Sequence, residues 1–255
     1  MRRALEFLAP AATILLLLGV WEVACRAMRV PVYLLPGPSQ IIRAAAADLP
    51  VLAMSAGNTL IMALSALVIA SALATSLALA LGASPLLERA VKPIAIGFQV
   101  TPIVAIAPLA VIWAGLEHSE RAIVGLAAIV AFFPVFSGTL TGLKSADPDL
   151  ERLFDLYGAR RWQRLFRLRV PAAVPYILEG HKVAAGQALI GGVVAEFVAR
   201  TGQSQGLAWR ILEASHNLET PRLFAALFTL AVMGGLLFAV LQGLEAVALR
   251  WWRGR

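Results

Sequence analysis

The stretch 155–177, "DLYGARRWQRLFRLRVPAAVPYI", decides how the rest of this chain is read. Five arginines, Arg160, Arg161, Arg164, Arg167 and Arg169, crowd into ten residues, yet apolar side chains keep helical spacing around them. Before Gly158, the residues Leu150, Leu153, Phe154 and Tyr157 recur at i, i+3, i+4 and i+7. After it, Trp162, Leu165 and Phe166 repeat the pattern, while Arg160, Arg161, Arg164 and Arg167 fall on another face. Gly158 stands where a left-handed or sharply turned backbone costs little. The spacing predicts two short amphipathic helices meeting at a bend, closed by Pro171 and Pro175 before the next segment. Such a surface suits either a headgroup layer, with the arginines on anionic lipid, or a groove on a partner protein. Spacing alone does not separate the two.

The surroundings are apolar. Of 255 residues, 60% are hydrophobic and only 15% charged, with a mean hydropathy of +0.79, a composition that excludes an ordinary soluble globule. The net charge of +7 therefore raises the question of where the positives sit relative to a bilayer, not of nucleic acid. One cysteine, Cys25, rules out an intrachain disulfide. The opening MRRALEFLAPAATILLLLGVWEVACRA begins as a signal peptide does, but Glu22 stands where small residues precede a cut, so an uncleaved first span is expected.

A helix needs roughly 20 apolar residues to cross a bilayer. The stretches 5–25, 59–83, 93–115, 122–143 and 222–249 qualify. The segment 176–199 carries Glu179, His181 and Lys182 at its start and Glu196 near its end, and topology decides its case. With six spans and a cytoplasmic start, Arg2, Arg3, Arg89, Lys92, Lys144, the loop arginines, Lys182, Arg250, Arg253 and Arg255 all lie inside. These are most of the 22 Lys and Arg. The expectation is one transmembrane domain, 1–255, with both termini cytoplasmic, an internal loop at 144–175 and Lys182 snorkelling inward. Residues 30–57 and 200–221 are then external, the first with a short helix after the PGPS turn.

No G-x-x-x-x-G-K-[ST] phosphate loop occurs, and His118, His181 and His216 are scattered, so neither an ATP site nor a metal centre is expected. Pro102, Pro108 and Pro134 interrupt helix bonding within spans, either as packing kinks or beside a water-filled path. Gln99 and Thr101, next to Pro102, and Gln187 are polar groups at membrane depth. They are candidates for a substrate pathway or for interhelical hydrogen bonds. Glu196 pairs with Arg200 or shapes an external gate. Ser65, Ala66, Ser71, Ala72, Thr75 and Ser76 make a helix-packing face. The external arginines Arg43, Arg121, Arg200 and Arg210 face an anionic solute or a docking partner.

The loop resembles the cytoplasmic signature of ATP-binding-cassette (ABC) importer permeases: E-A-A, three residues, Gly, nine residues, I-x-L-P. Gly158 matches its glycine, and Leu168, Val170 and Pro171 stand at the I, L and P positions; Arg152, Leu153 and Phe154 replace E-A-A. "LYGARRWQRLFRLRVPAAVPYI", "PIAIGFQVTPIVAIAPLAVIWAG" (93–115), "GVVAEF" (192–197) and the PGPS turn are similar to the nitrate, sulfonate and taurine branch. The resemblance implies an all-α, six-span permease of the type I importer fold with a cytoplasmic coupling helix, paired as a homodimer in a bacterial inner membrane. It also implies a separate ATP-binding subunit that carries the ATP-Mg, and a periplasmic or extracellular solute-binding protein. The coupling contacts would come from Leu153, Phe154, Tyr157, Gly158, Ala159, Arg160, Arg161, Trp162 and Pro171. The implied cargo is a small anion such as an alkyl sulfonate, taurine or nitrate, with a pyrimidine vitamin precursor as the alternative. A self-contained channel or secondary transporter is the rival class; it calls for paired charges at midplane or an inverted repeat, and neither is evident.

Overall fold

The computed structural model describes residues 2–82, 85–100, 102–115, 118–199 and 205–253. All regular structure among them is helical, in the order α1 (Arg2–Ala27), α2 (Pro38–Ala47), α3 (Leu49–Gly82), α4 (Pro85–Val100), α5 (Ile103–Ala114), α6 (Ser119–Leu143), α7 (Pro148–Leu156), α8 (Arg161–Arg164), a π-helical turn (Leu165–Arg169), α9 (Val170–Ala199), α10 (Leu207–His216) and α11 (Thr220–Arg253). Among the described residues four helices are long and apolar enough to cross a membrane: Leu49–Gly82, Ser119–Leu143, Arg161–Ala199 and Thr220–Trp252. The chain is thus a multi-pass membrane protein. The stretch 5–25 lies within α1.

The stretch 93–115, read as one span, is two helices. Pro102 has extended backbone, φ −69° and ψ 110°, and caps the start of α5. The cause is local: Pro102 offers no N–H to the preceding turn, and its ring disfavours helical backbone in the residue before it. Pro108 and Pro134 do not have this effect and sit inside continuous α5 and α6.

The chain divides into two compact units, Met1–Gly57 with Gln205–Ala231, and Asn58–Ser204 with Val232–Arg255. In the first, the PGPS turn acquires a partner. Glu22 of α1 accepts hydrogen bonds from the Ser39 N–H (2.9 Å) and hydroxyl (2.8 Å) and from Arg26 Nε (2.7 Å). It thereby caps α2 with a carboxylate where the helix N-terminus favours negative charge. A Cβ on Gly37 would lie 2.9 Å from Glu22 Oε2, so a larger residue there would push this carboxylate aside. Glu22→Ala is expected to speed hydrogen exchange at the Ser39 amide in detergent, with little change along α11. Trp21 packs on Phe224 and Phe228, ring centroids 6.0 and 6.1 Å away. Arg222 pairs with Asp48 and Glu219, and Arg210 with Glu213 and the Ser55 hydroxyl. Arg210, expected to face a solute or partner, is therefore engaged within the chain.

The second unit is organised by α6 and α9, packed closely along their length. A Cβ on Gly138 would meet the Tyr176 carbonyl at 2.9 Å, one on Gly180 the Pro134 carbonyl at 2.8 Å, and one on Gly191 the Ala127 Cα at 3.1 Å. Positions rising along α6 face positions falling along α9, so the helices are antiparallel. In a membrane, where lipid is as apolar as leucine, this backbone approach supplies the van der Waals contact that holds helices together. On α3 the buried packing face is the ridge Ala66, Ala70, Ala74 and Ala78. Of the six residues expected on this face only Ala66 is fully buried. The four-residue alanine step sets one face of the helix, and the serines and threonine step off it.

Lys182 of α9 is ion-paired within the chain. Its Nζ lies 2.5 Å from Glu179 and 2.9 Å from Glu245 of α11. The two carboxylates give the lysine charge partners within the chain.

Candidate functional site

The loop 144–175 is built from helix-end chemistry. The Asp147 side chain accepts from the Asp149 N–H at 2.8 Å, and Pro148 occupies the first helical position, where no donor is needed. Asp149 and Glu151 add negative charge in the first turn of α7. The other end is a Schellman turn. Gly158 has φ +60°, its N–H donates to the Asp155 carbonyl, and the Ala159 N–H donates to the Phe154 carbonyl, both at 3.0 Å. The Arg160 N–H then donates to Gln163 Oε1 at 2.8 Å and starts α8.

The expected second short helix does not end at Pro171. From Arg161 the chain stays helical to Ala199, passing through the π turn, where the Val170 N–H reaches back five residues to the Leu165 carbonyl. This widened turn precedes Pro171, which would otherwise press on the carbonyl four residues before it and leave that carbonyl unbonded. Pro171 is thus the second residue of α9, and Pro175 lies inside it.

The five arginines fall into two sets. Arg164 pairs with Asp155 and lies 3.5 Å from Glu151. Arg169 Nε donates to Glu151 Oε1 at 2.6 Å, and its Nη1 donates to the Gly82 carbonyl at 3.3 Å. Arg160, Arg161 and Arg167 are exposed and make no ion pair among the described residues. Beside them the apolar pattern emerges as an outward ridge. Leu153 is 43% exposed, Tyr157 82% and Trp162 62%, Phe154 and Ala159 are half-buried, and the Trp162 and Phe166 rings stack at 5.9 Å. Beneath the loop, Leu143, Leu165 and Ala173 form a small buried cluster.

Glu151 and Asp155 were not singled out by sequence reasoning, which read Arg164 and Arg169 only as members of the loop's arginine run. Their signal was present: two acids four residues apart on a helix whose apolar residues face elsewhere, followed by arginines. A cleft of about 870 Å³ opens beside this cluster, lined in part by Gly82, Glu88, Lys144, Glu151 and Arg169.

Of the pathway candidates, only Pro102, Gln187 and Glu196 have described side chains. Thr101, Arg200 and the side chain of Gln99 lie outside the described residues; Pro102 is exposed at the α5 cap. Gln187 is half-buried and Glu196 buried, both on α9. At about 100° per residue, nine residues place them on opposite faces of that helix.

Comparison with known proteins adds three relatives and a family. Residues 70–253 match the family described as binding-protein-dependent transport system inner membrane component. The chain is 32% identical over 98% of each chain to the formylaminopyrimidine transport permease protein ThiX of Halalkalibacterium halodurans. It is 31% identical to the putative aliphatic sulfonates transport permease protein SsuC of Bacillus subtilis, over 60% of this chain and 54% of that one. It is likewise 31% identical to the taurine transport system permease protein TauC of Escherichia coli, over 68% of this chain and 61% of that one.

Proposed function

We propose, for a chain that belongs to the family of binding-protein-dependent transport system inner membrane components and is an ABC transporter permease, a specific division of labour. This subunit forms the membrane path with six spans and both termini in the cytoplasm, pairs as a homodimer in a bacterial inner membrane, and hydrolyses nothing itself. A separate ATP-binding cassette subunit holds the ATP-Mg, and an external binding protein delivers the solute. The third span is the broken pair α4 and α5.

The observation that carries this reading is the ridge around Gly158. Leu153, Tyr157 and Trp162 stand exposed beside Arg160 and Arg161 around the turn at Gly158. That combination fits an amphipathic helix seated in a partner's groove, with the arginines on its acids or helix-terminal carbonyls. Phe154 and Ala159, half-buried beside it, and Pro171, the second residue of α9, complete the proposed coupling set. When the ATP-binding subunits close, their contacts with α7 change. That difference in interaction free energy biases the path toward its outward-open form, and hydrolysis reverses the bias. On the solute side Gln99, Thr101, Pro102, Gln187 and Glu196 remain candidates for the path, with Gln187 and Glu196 serving different surfaces.

For the cargo, the relative that is similar over 98% of each chain is named for formylaminopyrimidine. That supports a pyrimidine vitamin precursor ahead of the sulfonate or taurine reading, which rests on matches to part of the chain. The test is ATP hydrolysis by the full chain in liposomes with an ATP-binding subunit and binding protein, across formylaminopyrimidine, alkyl sulfonates, taurine and nitrate. Stimulation by formylaminopyrimidine is the expected result. Stimulation by taurine or a sulfonate alone reverses the order of substrates, and an absence of complex with any ATP-binding subunit refutes the importer.

A further inference from the structure

We infer that Glu151 is a positioning residue for ATP coupling: its carboxylate ties α7 to the π turn of the long helix and, through Arg169, to the end of α3. This rests on the proposed coupling role of the loop. No residue of α7 is buried, so no apolar core fixes its direction. What remains is the Schellman turn at Gly158 and the charges on its inner face.

Those charges converge on one carboxylate. Glu151 Oε1 accepts from Arg169 Nε at 2.6 Å, and Oε2 faces Arg164 Nε at 3.5 Å. Asp155, one helical turn on, holds the other side of Arg164. The Arg169 guanidinium also donates to the Gly82 carbonyl, an end group of α3 that has no partner within its own helix. Three elements distant in sequence thus meet at one guanidinium. Arg169 is the last residue of the π turn, where the ladder of the long helix is already widened. Such turns are frequent at functional sites.

Ion pairs this near the surface contribute little to stability, since water screens them; about 0–1 kcal/mol is usual. Glu151, Arg164 and Arg169 are each about one-fifth to one-third exposed. Their effect is therefore on direction rather than on folding. They hold α7 so that a displacement at its ridge moves the π turn and α3 instead of swinging the helix about Gly158.

The experiment compares wild type, Glu151→Gln and Arg169→Lys, each as full chain with its ATP-binding subunit and binding protein in liposomes. Three quantities are read: the affinity for the ATP-binding subunit, the thermal midpoint, and the stimulation of ATP hydrolysis by loaded binding protein. Glu151→Gln keeps shape and removes charge. It is expected to bind the ATP-binding subunit and melt like wild type while stimulation falls about tenfold, a typical coupling magnitude. Arg169→Lys keeps a charge beside Glu151 but loses the planar fork that also reaches the Gly82 carbonyl. Stimulation should therefore fall there too with binding and melting unchanged, and wild-type stimulation in it overturns the link to α3. Wild-type stimulation in Glu151→Gln overturns the inference and leaves the importer standing. Weakened binding of the ATP-binding subunit also overturns it, because Glu151 is then part of the docking face. A wild-type chain that binds no ATP-binding subunit removes both.

Discussion

Gly158→Val should abolish solute-dependent ATP hydrolysis by the assembled importer while leaving the chain inserted and folded. The Gly158 backbone is left-handed, with φ +60°, and its N–H completes the turn that ends α7. No atom lies within 4 Å of where a Cβ would stand, so the obstacle is the backbone and not a clash. An L-residue pays about 1–2 kcal/mol for this conformation, and a β-branched one more. With no buried residue in α7 to resist, the turn relaxes and the ridge of Leu153, Tyr157 and Trp162 points elsewhere. Gly158→Asn is the informative companion, since asparagine tolerates left-handed backbone, and it should retain most activity. The double reversal Arg160→Glu with Arg161→Glu attacks the same ridge by charge. Because neither arginine pairs within the described chain, its effect should appear as lost co-purification with the ATP-binding subunit and not as lower stability. Normal stimulation in Gly158→Val, or unchanged co-purification in the charge reversal, contradicts the docking role.

The second large effect falls on stability. Gly142→Val should cost about 3 kcal/mol, at the upper end for overpacking, and lower the thermal midpoint in detergent by several degrees. A Cβ at Gly142 would lie 2.8 Å from the Ala173 Cβ and 2.9 Å from its Cα and carbonyl oxygen. Two of these are backbone atoms of a long helix, so neither neighbour can step aside. The matched control is Gly186→Ala on α9, where nothing lies within 4 Å. There the added methyl should be neutral or stabilising by up to about 1 kcal/mol through helix propensity. Equal melting of the two variants would remove the claim that α6 and α9 are held by glycine contact.

Much of this was legible without coordinates. The apolar runs read at 59–83, 122–143 and 222–249 overlap three of the four membrane-length helices among the described residues, and 176–199, which topology admitted as a span, falls in the fourth. The break at Gly158 and the helix after PGPS followed from residue type: glycine and proline restrict or free the backbone wherever they occur. The period of apolar residues in α7 likewise named its outward ridge. Local rules suffice for such features because the physics is contained within a few neighbouring residues.

Other readings failed where the deciding atom lay far along the chain. Pro171 was read as a stop, yet the helix continues because the π turn before it opens room. Sequence reading gave Lys182 no partner on another helix, and Glu245, sixty-three residues on, supplies one. The packing face of α3 was placed on Ser65, Ala66, Ser71, Ala72, Thr75 and Ser76, of which only Ala66 lies on the buried alanine ridge. The five loop arginines look alike in the sequence; Glu151 and Gly82, eighteen and eighty-seven residues from Arg169, decide which are spent inside. Composition, periodicity and backbone chemistry therefore determined that this chain is helical, crosses a membrane and presents a charged ridge. Which charges pair and which glycines touch was decided only by the tertiary structure, because hydrogen bonds and van der Waals contact act over a few ångströms between residues the sequence keeps apart.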